Sequence, residues 1–385
     1  MTKYTTVLGN LLRPISRSDF QAAVNTYQAD KRTKTFKTYD LFKSLLYGQL
    51  SGCVSVREIE QAQRANSRQL YHAGLKPIKR STFCDAMERR DHRVFEEVFS
   101  TVTELARKVA GKRNRQFKDP LEIIDSTTIP LCLEDYDWVA FRQKKGAVKL
   151  HLRLDGDSLL PDHAVLTPGF IHDVRVMDYL CTESGVIYVF DRAYIDYRSL
   201  HDIQLHGSIF VSRMKRNSVY KRIRYNRHDQ DGPILSDVII QLTGLSAKKK
   251  YPEPLRKIRY YDEQTRRTYE FITNDRTRDA QEIAAIYKQR WQIELFFKWI
   301  KQNLKIKTFW GTSKNAVYIQ IWTALILSVL LWIRRVLDGI TVSAHQLIQM
   351  MKTTLLSKNS IAGLCFATPP TWEDCPRQLV FEGLL

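Results

Sequence analysis

Three carboxylates stand where they could do chemistry. Asp125 follows the apolar run "LEII", Asp191 follows "VIYVF", and Glu294 lies inside "YKQRWQIELFFKWIKQ", residues 287–302. Acids are poor strand formers, and an acid among large apolar side chains is costly unless something positive meets it. Each also has a plain explanation. Asp191 could cap the segment "RAYIDYRSL", and Glu294 could belong to an i,i+4 ladder with Arg290 and Lys298. Projected from Tyr287 at about 100° per residue, Arg290, Glu294, Lys298 and Lys301 share one narrow polar stripe, and Trp291 falls among the apolar directions. An ordinary surface helix has a broad polar face. This one reads as packed on a sheet, its stripe turned to a polyanion or a metal centre. Carboxylates from two strands and one helix can hold two Mg²⁺ ions, because carboxylate oxygens suit hard cations that also bind substrate phosphates.

The elements needed to position these acids are legible. Residues 1–115 read as short helices. "YDLFKSLLYGQLSG" stops at Gly52, and "SVREIEQAQRANSRQLYHAG" starts with Ser55 as a cap and ends at Gly74. Ser81 or Thr82 should cap a longer helix running through "FCDAMERRDHRVFEEVFSTVTELARKVAG". Basic residues on these helices, Arg80 and Arg89 among them, suit a helix-turn-helix type of DNA reader or the solvated face of a bundle. After the basic run "GKRNRQFKDP" the period changes, and residues 116–215 alternate strands and helices as a mixed α/β sheet. Residues 216–275 give four short strands, a β-rich insertion. "TRDAQEIAAIYKQRWQIELFFKWIKQNL" then reads as one long helix within a segment 276–335, and 336–385 as a helical tail.

Composition narrows the partner. Among 385 residues, 60 Lys and Arg against 41 Asp and Glu leave a formal charge of +19, which favours a polyanion, most often nucleic acid. The six cysteines show no zinc spacing and read as reduced cytosolic residues. "AVYIQIWTALILSVLLWI" is uncharged over about a bilayer's length, but its Tyr318, Gln320, Thr323 and Ser328 fit a buried core helix better. The N-terminus has no signal-peptide pattern.

Taken together, these motifs resemble the DDE transposases of bacterial insertion sequences, in the group with a Y-x2-R-x3-E-x6-K (YREK) signature. Tyr287, Arg290, Glu294 and Lys301 fit that spacing, "IIDSTTI" and "VFDRAYID" resemble the two acidic motifs, and "KKGAVKLHLRLD" and "GFIHDVRVMDYL" the segments between. The resemblance implies a ribonuclease-H-like catalytic domain with a β-strand insertion, preceded by a helical DNA-binding domain. It makes Asp125, Asp191 and Glu294 the metal-binding triad, using two Mg²⁺ ions with Mn²⁺ able to substitute. Tyr287, Arg290 and Lys301 would contact phosphates of double-stranded DNA, with Lys298, Lys145, Lys149, Arg80 and Arg89 as further candidates. Trp291 would either stack on a flipped base, as in relatives that excise through a hairpin, or serve as a core aromatic. The implied enzyme works as a cytoplasmic homodimer on terminal inverted repeats and target DNA. A silent DNA-binding regulator and a related nuclease or resolvase are the alternatives.

Overall fold

The computed structural model describes residues 6–111, 116–132, 136, 138, 146–228 and 232–365. Lys145, residues 112–115 of the run 111–120 and the tail beyond 365 lie outside the described residues.

Helices fill the N-terminal region: α1 (Val7–Leu12), α2 (Arg17–Thr26), α3 (Thr38–Leu50), α4 (Val56–Ala65), α5 (Ser67–Leu70), α6 (Arg80–Arg89) and α7 (Arg93–Ala110). Ser55 caps α4 as its sequence predicts, its hydroxyl accepting from the Glu58 amide at 3.2 Å. The longer helix expected after Ser81 or Thr82 is instead two helices. α6 begins at Arg80, so both hydroxyl residues lie in its first turn, and Arg90 breaks it with an extended backbone. A distant side chain holds that break. The Asn315 amide donates to the carbonyls of Met87, Glu88 and Arg90, a tertiary contact that no local pattern announces.

The sheet has nine strands: β1 (Leu121–Leu131), β2 (Gly146–Asp155), β3 (Pro161–Pro168), β4 (Ile187–Phe190), β5 (Ile209–Arg213), β6 (Tyr220–Tyr225), β7 (Ile234–Leu242), β8 (Leu255–Asp262) and β9 (Arg267–Thr273). Their spatial order is β3-β2-β1-β4-β5-β9-β8-β7-β6. The first three strands form an antiparallel meander, and β4 and β5 run parallel to β1. This is a mixed α/β sheet, as the sequence predicts. β9 pairs antiparallel with β5, so the insertion strands continue the same sheet. Along β4, Ile187 and Val189 join one apolar core while Tyr188 and Phe190 join the other. That is the period-2 consequence of burying both faces.

Short helices α8 (Met177–Leu180), α9 (Tyr197–Leu205) and α10 (Leu245–Lys250) connect strands, and α11 (Ala280–Lys288), α12 (Trp291–Asn303), α13 (Lys314–Leu337), α14 (Ala344–Thr354) and α15 (Ile361–Cys365) follow the sheet. The long apolar segment is α13, whose most apolar stretch is wholly buried inside the protein. It packs against α7, α3, α6 and β3. Two of its polar side chains are satisfied within that core: Gln320 accepts from the Trp310 amide at 2.9 Å, and Thr323 donates to the Ile319 carbonyl at 2.8 Å. A buried charge cluster locks the helices to the sheet. Arg153 of β2, fully buried, grips Asp162 through two bonds of 2.9 Å and reaches Glu183 at 2.6 Å. Arg107 of α7 bonds the same two acids.

Candidate active site

Strand register brings the first two acids together. β1 and β4 are parallel, and their pairing ends at Ile124 opposite Phe190. The next residue on each strand is an acid, Asp125 and Asp191, so the two emerge on neighbouring strands about 4.8 Å apart. Asp191 leaves the strand in an extended conformation just before a short turn, Arg192–Tyr194. Asp125 stays within β1, opposite Leu152 of β2.

The helical acid arrives by a different route from the one its sequence predicts. The single long helix is broken into α11 and α12, with Gln289 and Arg290 between them. No Gly or Pro causes the break. The backbone stays right-handed but changes to i→i+3 bonding, Arg290 N–H to the Tyr287 carbonyl at 3.1 Å and Ile293 N–H to the Arg290 carbonyl at 3.3 Å. A 3₁₀ turn inside a helix often marks a strained or functional position. Here Arg290 is the residue at the turn, and its side chain bridges the acids. One guanidinium nitrogen donates to Asp125 Oδ2 at 3.1 Å, and another to Glu294 Oε1 at 2.6 Å. The Tyr287 hydroxyl, at the top of α11, lies 3.5 Å from Asp191 Oδ1.

The electrostatics match this crowding. Burial pushes the Asp125 carboxyl up to about 6; the Ser126 amide and Arg290 pull it down, while Glu294 and Asp191 raise it further. Burial works against the Arg290 charge, yet Tyr287, Glu294 and Asp125 hold it above its ordinary value. Burial also raises the Tyr287 hydroxyl to about 12, and its ring packs on Phe271 with centroids 4.7 Å apart. Arg290 lies between two of these carboxylates, Asp125 and Glu294, while Asp191 is met by the Tyr287 hydroxyl, and the place already stabilises positive charge. A divalent cation fits such a place.

The remaining candidates are distributed unevenly. Lys301 is half-buried: its ammonium donates to the Thr127 hydroxyl and, at 3.1 Å, to the Thr128 carbonyl, fastening α12 to β1. Lys298 is exposed one turn beyond Glu294. Trp291 is 55 % exposed, which overturns its reading as a core aromatic: the 3₁₀ turn rotates the start of α12 and leaves this ring in solvent. Lys149 is held by Asp173 at 3.2 Å and by the Ile171 carbonyl at 3.0 Å. Arg80 and Arg89 are exposed at opposite ends of α6, and Arg89 is paired with Asp85 at 2.7 Å.

Sequence reasoning missed Asp173. Its carboxylate accepts from the Ser126 hydroxyl at 2.8 Å, and Ser126 donates its amide to Asp125 at 2.8 Å. A fourth acid therefore sits directly behind the site. The only signal was its place in "GFIHDVRVMDYL", a segment noted without singling out its acid. A separate group, Asp162, His163 and Glu183, has ligand atoms within 4.8 Å of one another. Arg153 and Arg107 already neutralise it.

Comparison with known proteins shows the family to which the chain belongs. Residues 116–330 match the family described as "Transposase DDE domain", and residues 3–76 match a "Domain of unknown function (DUF4372)". The chain is 34 % identical over 287 residues to the protein named as transposase y4zB of Sinorhizobium fredii, covering 73 % of this chain and 78 % of that one. It is 27 % identical over 333 residues to the protein named as a transposase for insertion sequence element IS5377 of Geobacillus stearothermophilus, covering 86 % and 85 %. Among solved structures, the piggyBac transposase in a synaptic complex with hairpin DNA aligns at a TM-score of 0.49 and 9 % identity, over 97 % of this chain and 84 % of that one.

Proposed function

From the premise that this chain belongs to the DDE transposase family, an enzyme that cuts and joins DNA, we propose that Asp125, Asp191 and Glu294 are its catalytic carboxylates. The observation that carries the proposal is the Arg290 bridge from Asp125 to Glu294, with Tyr287 directed at Asp191 in the same place. When bound between these acids, two Mg²⁺ ions, or Mn²⁺ in their place, supply an activated water or 3′-hydroxyl and stabilise the leaving oxygen.

The chain's own residues do the rest. Asp125 and Asp191 are fixed by the strands that carry them, and Lys301 holds α12 on β1 so that Glu294 faces them. Arg290, in this reading part of a YREK signature with Tyr287, Glu294 and Lys301, turns from the carboxylates to a phosphate oxygen when DNA enters. Lys298 lies on the same helix and offers a second cation to the backbone. Trp291, exposed beside Arg290, presents a ring face to an unstacked base. The substrate is double-stranded DNA at terminal inverted repeats, held by a cytoplasmic homodimer, and excision passes through a hairpin at the cut end.

The test is strand cleavage of a duplex carrying matched element ends, with Mg²⁺ and the full chain. Asp125→Ala, Asp191→Ala and Glu294→Ala should each abolish cutting and leave DNA binding within about twofold. Cutting by any of the three removes that residue from the triad. Binding without cutting by the unaltered chain would favour a silent regulator.

A further inference from the structure

We propose that the N-terminal helical region grips the phosphate backbone of duplex DNA through the loop 27–37 and the end of α6, and not through a recognition helix. This rests on the DNA-acting reading above and assigns the surface that holds the duplex.

Charge singles out the loop. α4 sets Arg57 and Arg64 against Glu58 and Glu60, and α6 sets Arg80 and Arg89 against Asp85 and Glu88, so neither helix carries net charge. Segment 31–37 has Lys31, Arg32, Lys34 and Lys37 and no acid. A polyanion therefore finds a uniform field at the loop and a mixed one on either helix.

The loop is also built rather than slack. Asp30 accepts from both the amide and the hydroxyl of Thr38 at 2.8 Å, so its charge serves the start of α3. Arg90 donates to the Phe36 carbonyl at 3.1 Å and pins the far end. Gln28, just before these ties, and Arg32, between them, adopt positive φ, 48° and 60°. Residues other than glycine rarely do so, and such strain persists where the surroundings impose it, often at binding sites.

A groove of about 620 Å³ lies between this loop and α6, with Lys31, Arg32, Lys34, Asp85, Arg89 and Arg90 on its walls; its one acid, Asp85, is paired with Arg89. Arg32 and Lys34 are exposed and have no ion-pair partner among the described residues. Phe36, the aromatic residue of the lining, is buried. The groove thus offers cations without a ring to stack on, which suits phosphates of a duplex better than unstacked bases.

The test uses the full chain and a fluorescent duplex of about 30 base pairs of arbitrary sequence, titrated by anisotropy over a range of salt. Arg32→Asn with Lys34→Gln removes two charges, and Asn tolerates the left-handed backbone. Binding should weaken roughly tenfold near 0.15 M salt, and the slope of log K against log salt should fall by about 1.8. Arg57→Gln with Arg64→Gln, on α4, should change affinity by less than about twofold. Equal or larger loss from the α4 pair, or unchanged binding by the loop pair, overturns the groove assignment while leaving the DNA-acting reading intact. Failure of the unaltered chain to bind the duplex overturns both. Tighter binding of polyglutamate than of duplex at equal ionic strength assigns the groove to an acidic protein segment and also overturns the proposal. Both variants change exposed side chains, so matching thermal melts will show that each is folded.

Discussion

Replacing Arg290 by Gln should tighten binding of Mn²⁺ to the DNA-free protein, even as it lowers strand cleavage. In the structure the guanidinium is bonded to two of the proposed metal ligands, to Asp125 at 3.1 Å and to Glu294 at 2.6 Å. An incoming cation must draw both carboxylates away from it. A hydrogen bond to a charged group contributes roughly 1.5–3 kcal/mol net. The Asp125 half keeps the lower part of that range, since Asp125 and Arg290 are only 18 % and 13 % exposed. The Glu294 half is discounted to about 0–1 kcal/mol because that side chain is 35 % exposed and screened by water. The freed guanidinium recovers some hydration, which leaves about 1.4 kcal/mol, or tenfold in Kd. Gln keeps much of the reach and loses the charge. Calorimetric titration of Mn²⁺ into the full chain, with Asp125→Asn as the variant expected to lose binding, measures the difference directly. If Arg290→Gln binds Mn²⁺ with unchanged or weaker affinity while Asp125→Asn abolishes it, the guanidinium does not compete for these carboxylates and the reasoning is wrong.

Two further outcomes concern the frame around the site. Gly48→Ala should destabilise the chain by about 1–3 kcal/mol, because an added Cβ would lie 2.6 Å from Ile59 Cδ1 and 2.9 Å from Trp310 Cη2; a urea midpoint equal to that of the unaltered chain would show that α3 and α4 can separate freely. His151 is fully buried, and burial holds its ring down to about 4, with Lys149 adding to the effect and Asp173 opposing it. The unfolded histidine takes its proton near 6.5, so between that pH and about 4 the unfolded chain binds more protons. Stability therefore falls as pH drops through this window, by roughly 3 kcal/mol from this group. His151→Gln should flatten that part of the urea-midpoint profile, and an undiminished drop between about pH 6.5 and pH 4.5 would assign it to other groups.

The strands that carry the first two acids were readable because each depends on local pattern; their order in the sheet was not. "LEII" and "VIYVF" are apolar runs that end in acids, and the register that aligns Asp125 with Asp191 follows once the two strands are parallel neighbours. The helical acid was readable in identity but not in approach. Every residue from Ala280 to Asn303 is compatible with a helix, and the 3₁₀ turn at Arg290 comes with attraction from Asp125, a residue 165 positions away. The break between α6 and α7 has the same kind of origin in Asn315. The solvent position of Trp291 follows from that turn as well, since a continuous helix turns it among apolar neighbours. Asp173 escaped because one acid at the start of a short 3₁₀ turn gives no periodic signal; its meaning lies in the Ser126 hydroxyl it meets. Local propensity decides which elements form, and long-range polar contacts decide where they stop.

The insertion explains how Glu294 can lie so far along the chain from the two strand acids and still reach them. β9 runs antiparallel to β5, with Thr273 opposite Val211, and Asn274 exchanges hydrogen bonds with Phe210 and Ser208 at the start of β5. The chain is thus returned to the edge of the sheet where β4 and β5 begin. α11 then packs on β4 and β5 and climbs toward their ends. Its nine residues rise about 13 Å, which equals the length of the four-residue β4 at about 3.3 Å per residue. Tyr287, near the top of that climb, therefore meets Asp191 just beyond β4. The i→i+3 turn redirects the backbone there, and α12 crosses toward β1, setting Glu294 over Asp125. Tyr287 thus comes to Asp191, and Arg290 to Asp125 and Glu294, because a helix and a strand of matched height begin at the same edge of the sheet. The number of residues spent in β6, β7 and β8 does not enter that geometry, provided β9 still returns beside β5.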